Sequence, residues 1–479
     1  MNPTSGHPSD RITGSPTDIR RSDRTSGFHP RLTILLVSVL FFLSACRRPE
    51  PPAVGDPATD TGLDPAVRAH IRNWVAAAKA QPGDATVRAR LGIALAANGL
   101  WKEARSAFQA TAVLDPDEPL APMYAATALQ ELSDGPGSLQ EFKQLAQRFP
   151  GFAPIWYRVG EASLRAGELQ AADQAFATLI RLAPKESRGA LGLAEVHFRR
   201  GESAQALPLA EQALRLDPGS KPAFYLLGQT LRSLGQTNEA RVAIAAGTGE
   251  GRQPMSDPWA ETAPEEVRLL PGVFQQAEAM SALGRPEGAV ALLERIRPFH
   301  PDHPGLLNQL GVALNRCGQP QKTLALLDPL SAADPKAAAL RITRSHAHAQ
   351  LGNQEAALSE AREAIHLAPR LAQSHLALAN AHLIAENDTE ALLALDEASR
   401  CDPANAEILL EAATIRWRNL HEGGAAMALL NKALEIHPAL VPALRLSADI
   451  QAATGDSEGS QRTQGVLRWL TSRSGERGP

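Results

Sequence analysis

The stretch from Ala153 to Glu186 decides the fold; it reads APIWYRVGEASLRAGELQAADQAFATLIRLAPKE. Its apolar residues recur every three or four positions, as on the buried side of a helix. Gly167 divides the stretch into two such segments, because glycine readily adopts the left-handed conformation that ends a helix. Pro184 ends the second segment, because proline cannot continue a helix. The stretch therefore predicts two helices joined by a tight turn.

The same spacing recurs along most of the chain. With Ala153 as position 1, proline at position 32 recurs every 34 residues in two series, with one last step of 35. These prolines are Pro82, Pro116, Pro150, Pro184 and Pro218, then Pro301, Pro335, Pro369, Pro403 and Pro438. Positions 8 and 20 are mostly glycine or alanine, which let two helices approach closely, and position 15 is glycine in seven units. A fixed period of this length predicts an array of helix pairs.

This pattern resembles the tetratricopeptide repeat (TPR), and the resemblance covers residues 85–440 almost without gaps. It implies an all-α fold, a right-handed solenoid of about ten helix-turn-helix repeats with capping helices at both ends. In that family, the first helices of the repeats line a concave groove that holds a protein or peptide ligand. The resemblance therefore implies a protein-binding scaffold.

The fifth repeat breaks off at Gly247, so the array is predicted to fall into two blocks. The residues after Gly247 are rich in Gly, Pro and acidic side chains, which predicts a loop with at most a short helix from Glu265. Such an insert is either a hinge or a surface loop. The expected parts are a capping helix at 64–84, a first block at 85–247, an insert loop at 248–269, a second block at 270–440, a C-terminal cap at 441–470 and a tail at 471–479.

The first 45 residues are predicted to be a signal peptide. Arginines precede an apolar run of 14 residues, 32–45. As a helix this run is about 21 Å long, shorter than the hydrocarbon core of about 30 Å. A basic flank, a short apolar core and a small-residue exit are typical of a secretory signal.

The exit of this signal, Leu-Ser-Ala-Cys at 43–46, resembles the bacterial lipobox. In that family the chain is cut before the cysteine, which then carries the lipid. Cys46 is thus the predicted lipidation site, and residues 46–63 form a Pro-rich tether. We expect a lipid-anchored protein of the cell envelope that faces the periplasm or lies on the outer membrane. The alternative is an uncleaved signal anchor that holds a cytoplasm-facing adaptor.

The candidate binding residues lie at positions 5, 9, 12 and 13 of the first helices, beside the packing positions. In repeats three to six, position 5 is apolar or aromatic, and the other positions add charges of both signs. This mixture favours a groove for a protein or peptide, although the same side chains could simply cover neighbouring repeats. The set is Tyr157, Glu161, Arg165, Leu191, Glu195, Phe198, Arg199, Tyr225, Gln229, Arg232, Phe274 and Glu278.

Composition and motifs argue against other functions. The chain has 48 Lys and Arg against 52 Asp and Glu, a net charge of −4, which does not indicate a nucleic-acid partner. No catalytic or nucleotide-binding motif is present, and the repeats use nearly all of the chain, so we expect neither an enzyme nor a cofactor. A metal- or haem-associated protein is an alternative of a different class. It would require the histidines of repeats eight and nine to converge, namely His346, His348, His366, His375 and His382.

The lipid anchor is tested by Cys46→Ala. Several acyl chains on one cysteine give near-permanent membrane attachment, so their loss should release the folded protein into the soluble fraction or stall cleavage. Membrane fractionation and mapping of the N-terminus measure both outcomes. A variant that is still cut after Ala45 and still sediments with membranes would contradict lipidation.

Overall fold

The computed structural model describes residues 61–249, 251, 254–328 and 338–474. The predicted signal peptide and Cys46 lie outside these residues. Within them the chain forms α-helices and one short 3-10 turn, with no strand. The prediction of an all-α solenoid is confirmed. In the same ranges, no helix combines the length and the apolar character needed to cross a membrane.

The first block begins with a single helix and continues in pairs that follow the predicted pitch. Asp64 caps α1 (Pro65–Ala80) and Asp84 caps the next helix, each by accepting hydrogen bonds from backbone N–H groups of the first turn. The pairs are α2 (Ala85–Ala97) with α3 (Trp101–Leu114), α4 (Leu120–Glu131) with α5 (Gly135–Arg148), α6 (Ala153–Ala166) with α7 (Leu169–Leu182), α8 (Ser187–Arg199) with α9 (Ser203–Leu216), and α10 (Lys221–Ser233) with α11 (Thr237–Ala246).

The second block follows one further helix, α12 (Pro258–Glu266). Its members pair in sequence order, and a 3-10 turn (Arg297–Phe299) follows its second helix. They are α13 (Leu270–Ala282) with α14 (Pro286–Ile296), α15 (Pro304–Arg316) with α16 (Pro320–Leu327), α17 (Ala338–Gln350) with α18 (Gln354–Leu367), α19 (Ala372–Ile384) with α20 (Asp388–Cys401), α21 (Ala406–Arg418) with α22 (Gly423–Ile436), and finally α23 (Val441–Ala453) with α24 (Ser457–Ser474).

Aromatic rings packed on glycines set the spacing of helices in the first block. Phe176 of α7 is fully buried between α6 and α8. A Cβ atom on Gly160 or Gly192 would lie 2.6 Å and 2.4 Å from the Phe176 ring, respectively. Gly92 meets Phe108 in the same way, at 2.5 Å. Close packing of this kind leaves no room for a side chain at position 8 of the first and third repeats or at position 6 of the fourth.

The turn between the two helices of a repeat is left-handed where the sequence predicts it. All seven glycines at position 15 have φ between 67° and 80°, which confirms their role as helix-ending residues: Gly99, Gly167, Gly201, Gly235, Gly284, Gly318 and Gly352. Ser133 and Glu386 occupy the same position without glycine and take φ of 67° and 58°. These two residues carry the steric cost that glycine avoids.

The insert differs from its prediction. Residues 258–266 form α12, which starts after a cap by Asp257 and ends at Glu266, where the sequence predicted a loop with a helix from Glu265. Asp257 and Glu266 are both buried, so the segment is packed and is not a surface loop. The last helix of the fifth repeat ends before Gly247, where a side chain has no room because a Cβ atom would lie 2.2 Å from the backbone nitrogen of Tyr225.

The insert leads the chain from α11, the last helix of the first block, back to α1, where that block begins. Ala66 of α1 belongs to the same buried cluster as Val273 of α13, and His300 lies 3.2 Å from Asp64. At the other end, α24 contacts α9, and Arg473 lies 3.3 Å from Glu211. The helix continues to Ser474, so the first four residues of the predicted tail are helical.

The strain at Glu386 generates a stability prediction. Glu386→Gly should stabilise the protein by about 0.5–1 kcal/mol, because glycine adopts the left-handed conformation without the Cβ clash. Thermal unfolding measures the shift in Tm. Asp396→Gly is the matched control: it removes the same charge at an exposed site inside α20 and should lower the Tm. Equal effects of the two changes would contradict strain at Glu386.

Candidate protein-binding grooves

We define the first-helix face as the side chains at positions 5, 6, 9 and 12–14 of the first helices. Over repeats one and two it also includes the side chains of α1 and α3 that contact the insert. Over repeats one and two the insert lies on this face. Trp259 stacks on Phe108 with ring centroids 5.6 Å apart, and it packs against Tyr124 at 5.4 Å. The Tyr124 hydroxyl donates to the Asp257 carboxylate at 3.0 Å. An aromatic ring and a carboxylate thus anchor the first half of α12.

A buried carboxylate anchors the other end of α12. His70 Nε2 lies 2.6 Å from Glu266, the indole of Trp74 donates to it at 3.0 Å, and Arg90 approaches at 3.4 Å. Burial alone would raise the pKa of Glu266. The hydrogen bonds from His70 and Trp74, with the charges of His70 and Arg268, outweigh burial, so the pKa lies below its ordinary value. Glu266 is therefore held as a carboxylate.

The backbone that follows α12 is held by one amide side chain. Asn98 Nδ2 donates to the backbone oxygen of Glu266 at 2.8 Å, and its Oδ1 accepts from the N–H groups of Arg268 at 2.8 Å and Leu269 at 3.3 Å. Asn98 is buried, so these bonds are protected from water. The first repeat binds the insert as a receptor binds a peptide, through both backbone and side chains.

Burial of two side chains corrects part of the predicted groove. Tyr157 and Leu191 are each only 4% exposed, although position 5 was expected to face an open groove. Met255 of the insert packs against the buried cluster that contains Tyr157. Glu161 is half-buried and lines a small cavity of about 120 Å³ beside these two residues. A partner therefore has no direct access to Tyr157 or Leu191 in this conformation.

An open groove remains over repeats four and five, with a volume of about 860 Å³. We call it the first groove. Tyr225 is 44% exposed there, and Gln229 donates to its hydroxyl at 2.8 Å. Arg232 donates in turn to Gln229. The predicted residues that the structure brings together in this groove are Glu195, Phe198, Arg199, Tyr225, Gln229 and Arg232.

The other predicted residues lie apart from the first groove. Arg165 lines a separate pocket and donates to Gln130 at 2.7 Å. Phe274 is half-buried against the first hydrophobic cluster of the second block, and Glu278 is exposed. The twelve predicted residues do not form one continuous site.

A second groove of about 780 Å³, which contains none of the twelve predicted residues, lies over repeats seven to nine. It uses the same register: Asn308, Asn315, His346 and Asn380 stand at positions 5, 12, 9 and 9 of their repeats. Asn315 is 7% exposed; its Nδ2 donates to the Thr343 backbone oxygen at 2.9 Å. Its Oδ1 has no hydrogen-bond partner among the described residues. The positions of these residues follow from the repeat register, but unlike the first block these repeats carry no aromatic side chain at position 5.

The histidines of repeats eight and nine were the alternative metal site. Within the described ranges, no group of three or more His, Cys, Asp or Glu side chains is placed to hold a metal ion. Burial lowers the pKa of His346, and also that of His382. His348 and His382 occupy position 11, and the Nδ1 atom of each is buried. They sit where the repeat places packing residues.

Family models decide the identity of the repeats. Two models described as tetratricopeptide repeat match residues 71–119, 125–187, 197–260 and 342–406. The chain contains tetratricopeptide repeats. The TPR matches fall in both blocks, and one of them extends into the insert.

Known proteins resemble this TPR chain over limited parts or at low identity. The Protein CTR9 homolog of Arabidopsis thaliana is 37% identical over 90 residues, which cover 19% of this chain and 8% of the relative. TTC0263, a thermophilic TPR protein of Thermus thermophilus, is 24% identical over 38% of this chain and 98% of its own, with a TM-score of 0.34. Yeast Tom70 is 13% identical over 83% of this chain and 100% of its own, with a TM-score of 0.35.

The Glu266 site generates a pH-dependent prediction. Glu266→Gln should destabilise the protein by about 1–3 kcal/mol at pH 7, because the charge-assisted hydrogen bonds are lost in a buried site. Since folding lowers the pKa of Glu266, its carboxylate stabilises the fold above its unfolded pKa of about 4.3, and this contribution disappears as the pH falls through the folded value. Thermal unfolding at pH 7 and at about pH 3 measures both effects.

Glu265→Gln is the control, because the neighbouring Glu265 is exposed. It should leave the Tm unchanged at both pH values. If the two variants unfolded alike at pH 7, the buried network around Glu266 would not stabilise the insert.

Proposed function

We propose that this chain is a scaffold that binds protein or peptide segments in the grooves of its TPR array. The observation that carries the proposal is the first groove, where an exposed tyrosine is surrounded by charges of both signs. Tyr225 offers a rigid ring with a polar end, the kind of side chain that often anchors an interface. Arg232 and the paired Glu195 and Arg199 surround it and can fix the register of a bound segment.

The second groove supports the same function with a different chemistry. Its amide side chains, at Asn308, Asn315 and Asn380, each carry a donor and an acceptor. A peptide backbone presents the complementary pair at every residue, whichever side chains it carries. Asn308 and Asn380 are half-buried, so a bound segment can reach these two amides, whereas the Oδ1 of Asn315 is buried. The first groove is suited to the side chains of a bound segment, and the second groove is suited to its backbone.

We also propose that the scaffold is lipid-tethered in a bacterial envelope and serves an assembly there without catalysing a reaction. The basic flank, the short apolar run and the Cys46 motif support the tether. The Pro-rich segment 46–63 would hold the repeats away from the lipid surface. TPR proteins are generally scaffolds without enzymatic activity, which supports the non-catalytic role.

Photo-crosslinking from the first groove tests the binding function. A photoreactive amino acid at position 225 should crosslink a native envelope protein, because Tyr225 faces the open groove. Tyr225→Ala should weaken capture of that protein about thirtyfold, as loss of one interface anchor costs on the order of 2 kcal/mol. Helix content should not change, because the side chain is partly exposed.

Leu393 supplies the matched control. It is 62% exposed on α20, and neither groove contains it. A photoreactive residue at 393 should give no such crosslink, and Leu393→Ala should bind normally. Equal crosslinking from both positions, or normal capture by Tyr225→Ala, would contradict binding of the partner in the first groove.

A further inference from the structure

The segment that lies on the first-helix face has the properties of a ligand. Residues 254–269 read PMSDPWAETAPEEVRL and contribute no helix to a repeat pair. They offer one aromatic ring, Trp259, and two buried carboxylates, Asp257 and Glu266, in a short helix. The face meets each with a specific group: a pair of aromatic rings, a tyrosine hydroxyl and a His-Trp-Arg set. Complementarity at each anchor is typical of a bound peptide.

The helix itself depends on this docking. α12 has nine residues and carries Pro264 in its interior, where proline removes a backbone hydrogen bond. A helix of this length is unstable in water on its own, because nucleation costs more than so few hydrogen bonds return. Its exposed side, at Glu261 and Glu265, makes no buried contact. The docked segment is therefore ordered by the face, as a folding-upon-binding ligand is.

We propose that residues 254–269 are an internal ligand, and that the first-helix face of repeats one and two also binds in trans a partner segment of the same chemistry. Such a segment has an aromatic residue, a carboxylate two positions before it and a second carboxylate seven positions after it, and it becomes helical when bound. The inference deepens the proposed scaffold function by adding a third site whose ligand class is specified. In the free protein the insert occupies this site.

The tether makes the competition unequal. An attached segment acts at a high effective concentration, on the order of millimolar for a short linker. A partner can bind only those molecules in which the face is free. Its apparent affinity is therefore its intrinsic affinity multiplied by the fraction of such molecules. The intact protein should thus bind the segment weakly, and a protein with a weakened insert should bind it well.

A labelled synthetic peptide of residues 254–269 is the probe, titrated against full-length protein by fluorescence anisotropy. Trp259→Ala combined with Glu266→Gln weakens the insert without changing the face. This double variant should bind the peptide at least about tenfold more tightly than the wild type. A peptide with the same two substitutions should bind neither protein. A photoreactive group at the tryptophan position of the peptide should crosslink to α2–α4.

Circular dichroism checks that the double variant is folded. If it is not, Trp259→Ala alone, which keeps the Glu266 network, should still bind the peptide more tightly than the wild type. A folded variant that binds no peptide, or crosslinks outside α2–α4, overturns the inference, even if the first groove still captures its partner. A wild-type dimer that the double variant abolishes would show that a second copy's insert, and not the chain's own, occupies the face, and would overturn the assignment of residues 254–269 as an internal ligand.

Discussion

The arrangement of the two blocks depends on one buried carboxylate. Glu266 is bound by His70, Trp74 and Arg90, which belong to the first two helices of the array. This contact fixes where α13 can start, four residues later, beside α1. From there the second block follows its own repeat pitch until α24 meets α9. Without the carboxylate contact, only the anchors at Asp257, Trp259 and Asn98 would hold the insert, and the start of the second block would be held less firmly.

The same contact divides the binding surface. A TPR array of this length offers a continuous face, but here the insert covers repeats one and two and packs against the cluster that contains Tyr157 of repeat three. The first groove around Tyr225 and the second groove around Asn315 remain open. The chain thus presents separate surfaces of different chemistry: one aromatic and charged, one rich in amides, and one covered by the chain itself. Such a division suits a scaffold that holds more than one segment.

The sequence predicted the fold well because local rules determine a repeat. The glycine at position 15 and the small residue at position 8 specify each turn and each close approach, and both can be recognised one unit at a time. The bounds of most helices follow directly from this pattern.

The path of the insert could not be predicted from the sequence. It depends on contacts between residues nearly 200 positions apart, such as His70 with Glu266, for which a single sequence carries no periodic signal. The sequence predicted which repeat positions line a groove, but not whether the side chains at those positions are exposed. Positions 5, 9 and 12 do line the open grooves, but whether a given repeat is covered depends on where the insert lies. The Gly- and Pro-rich sequence around Asp257 and Trp259 indicated a loop. In the structure these two residues cover the first-helix face of repeats one and two.

Hydrogen exchange of the insert tests this account most directly. The central claim is that α12 is docked on the first-helix face and is ordered by it. The backbone amides of residues 259–266 should then exchange as slowly as those of exposed repeat helices such as α20, and Glu266→Gln should accelerate them selectively. Exchange at the rate of an unstructured peptide in the wild-type protein would contradict the account, because the insert would then be a free loop and the face beneath it open.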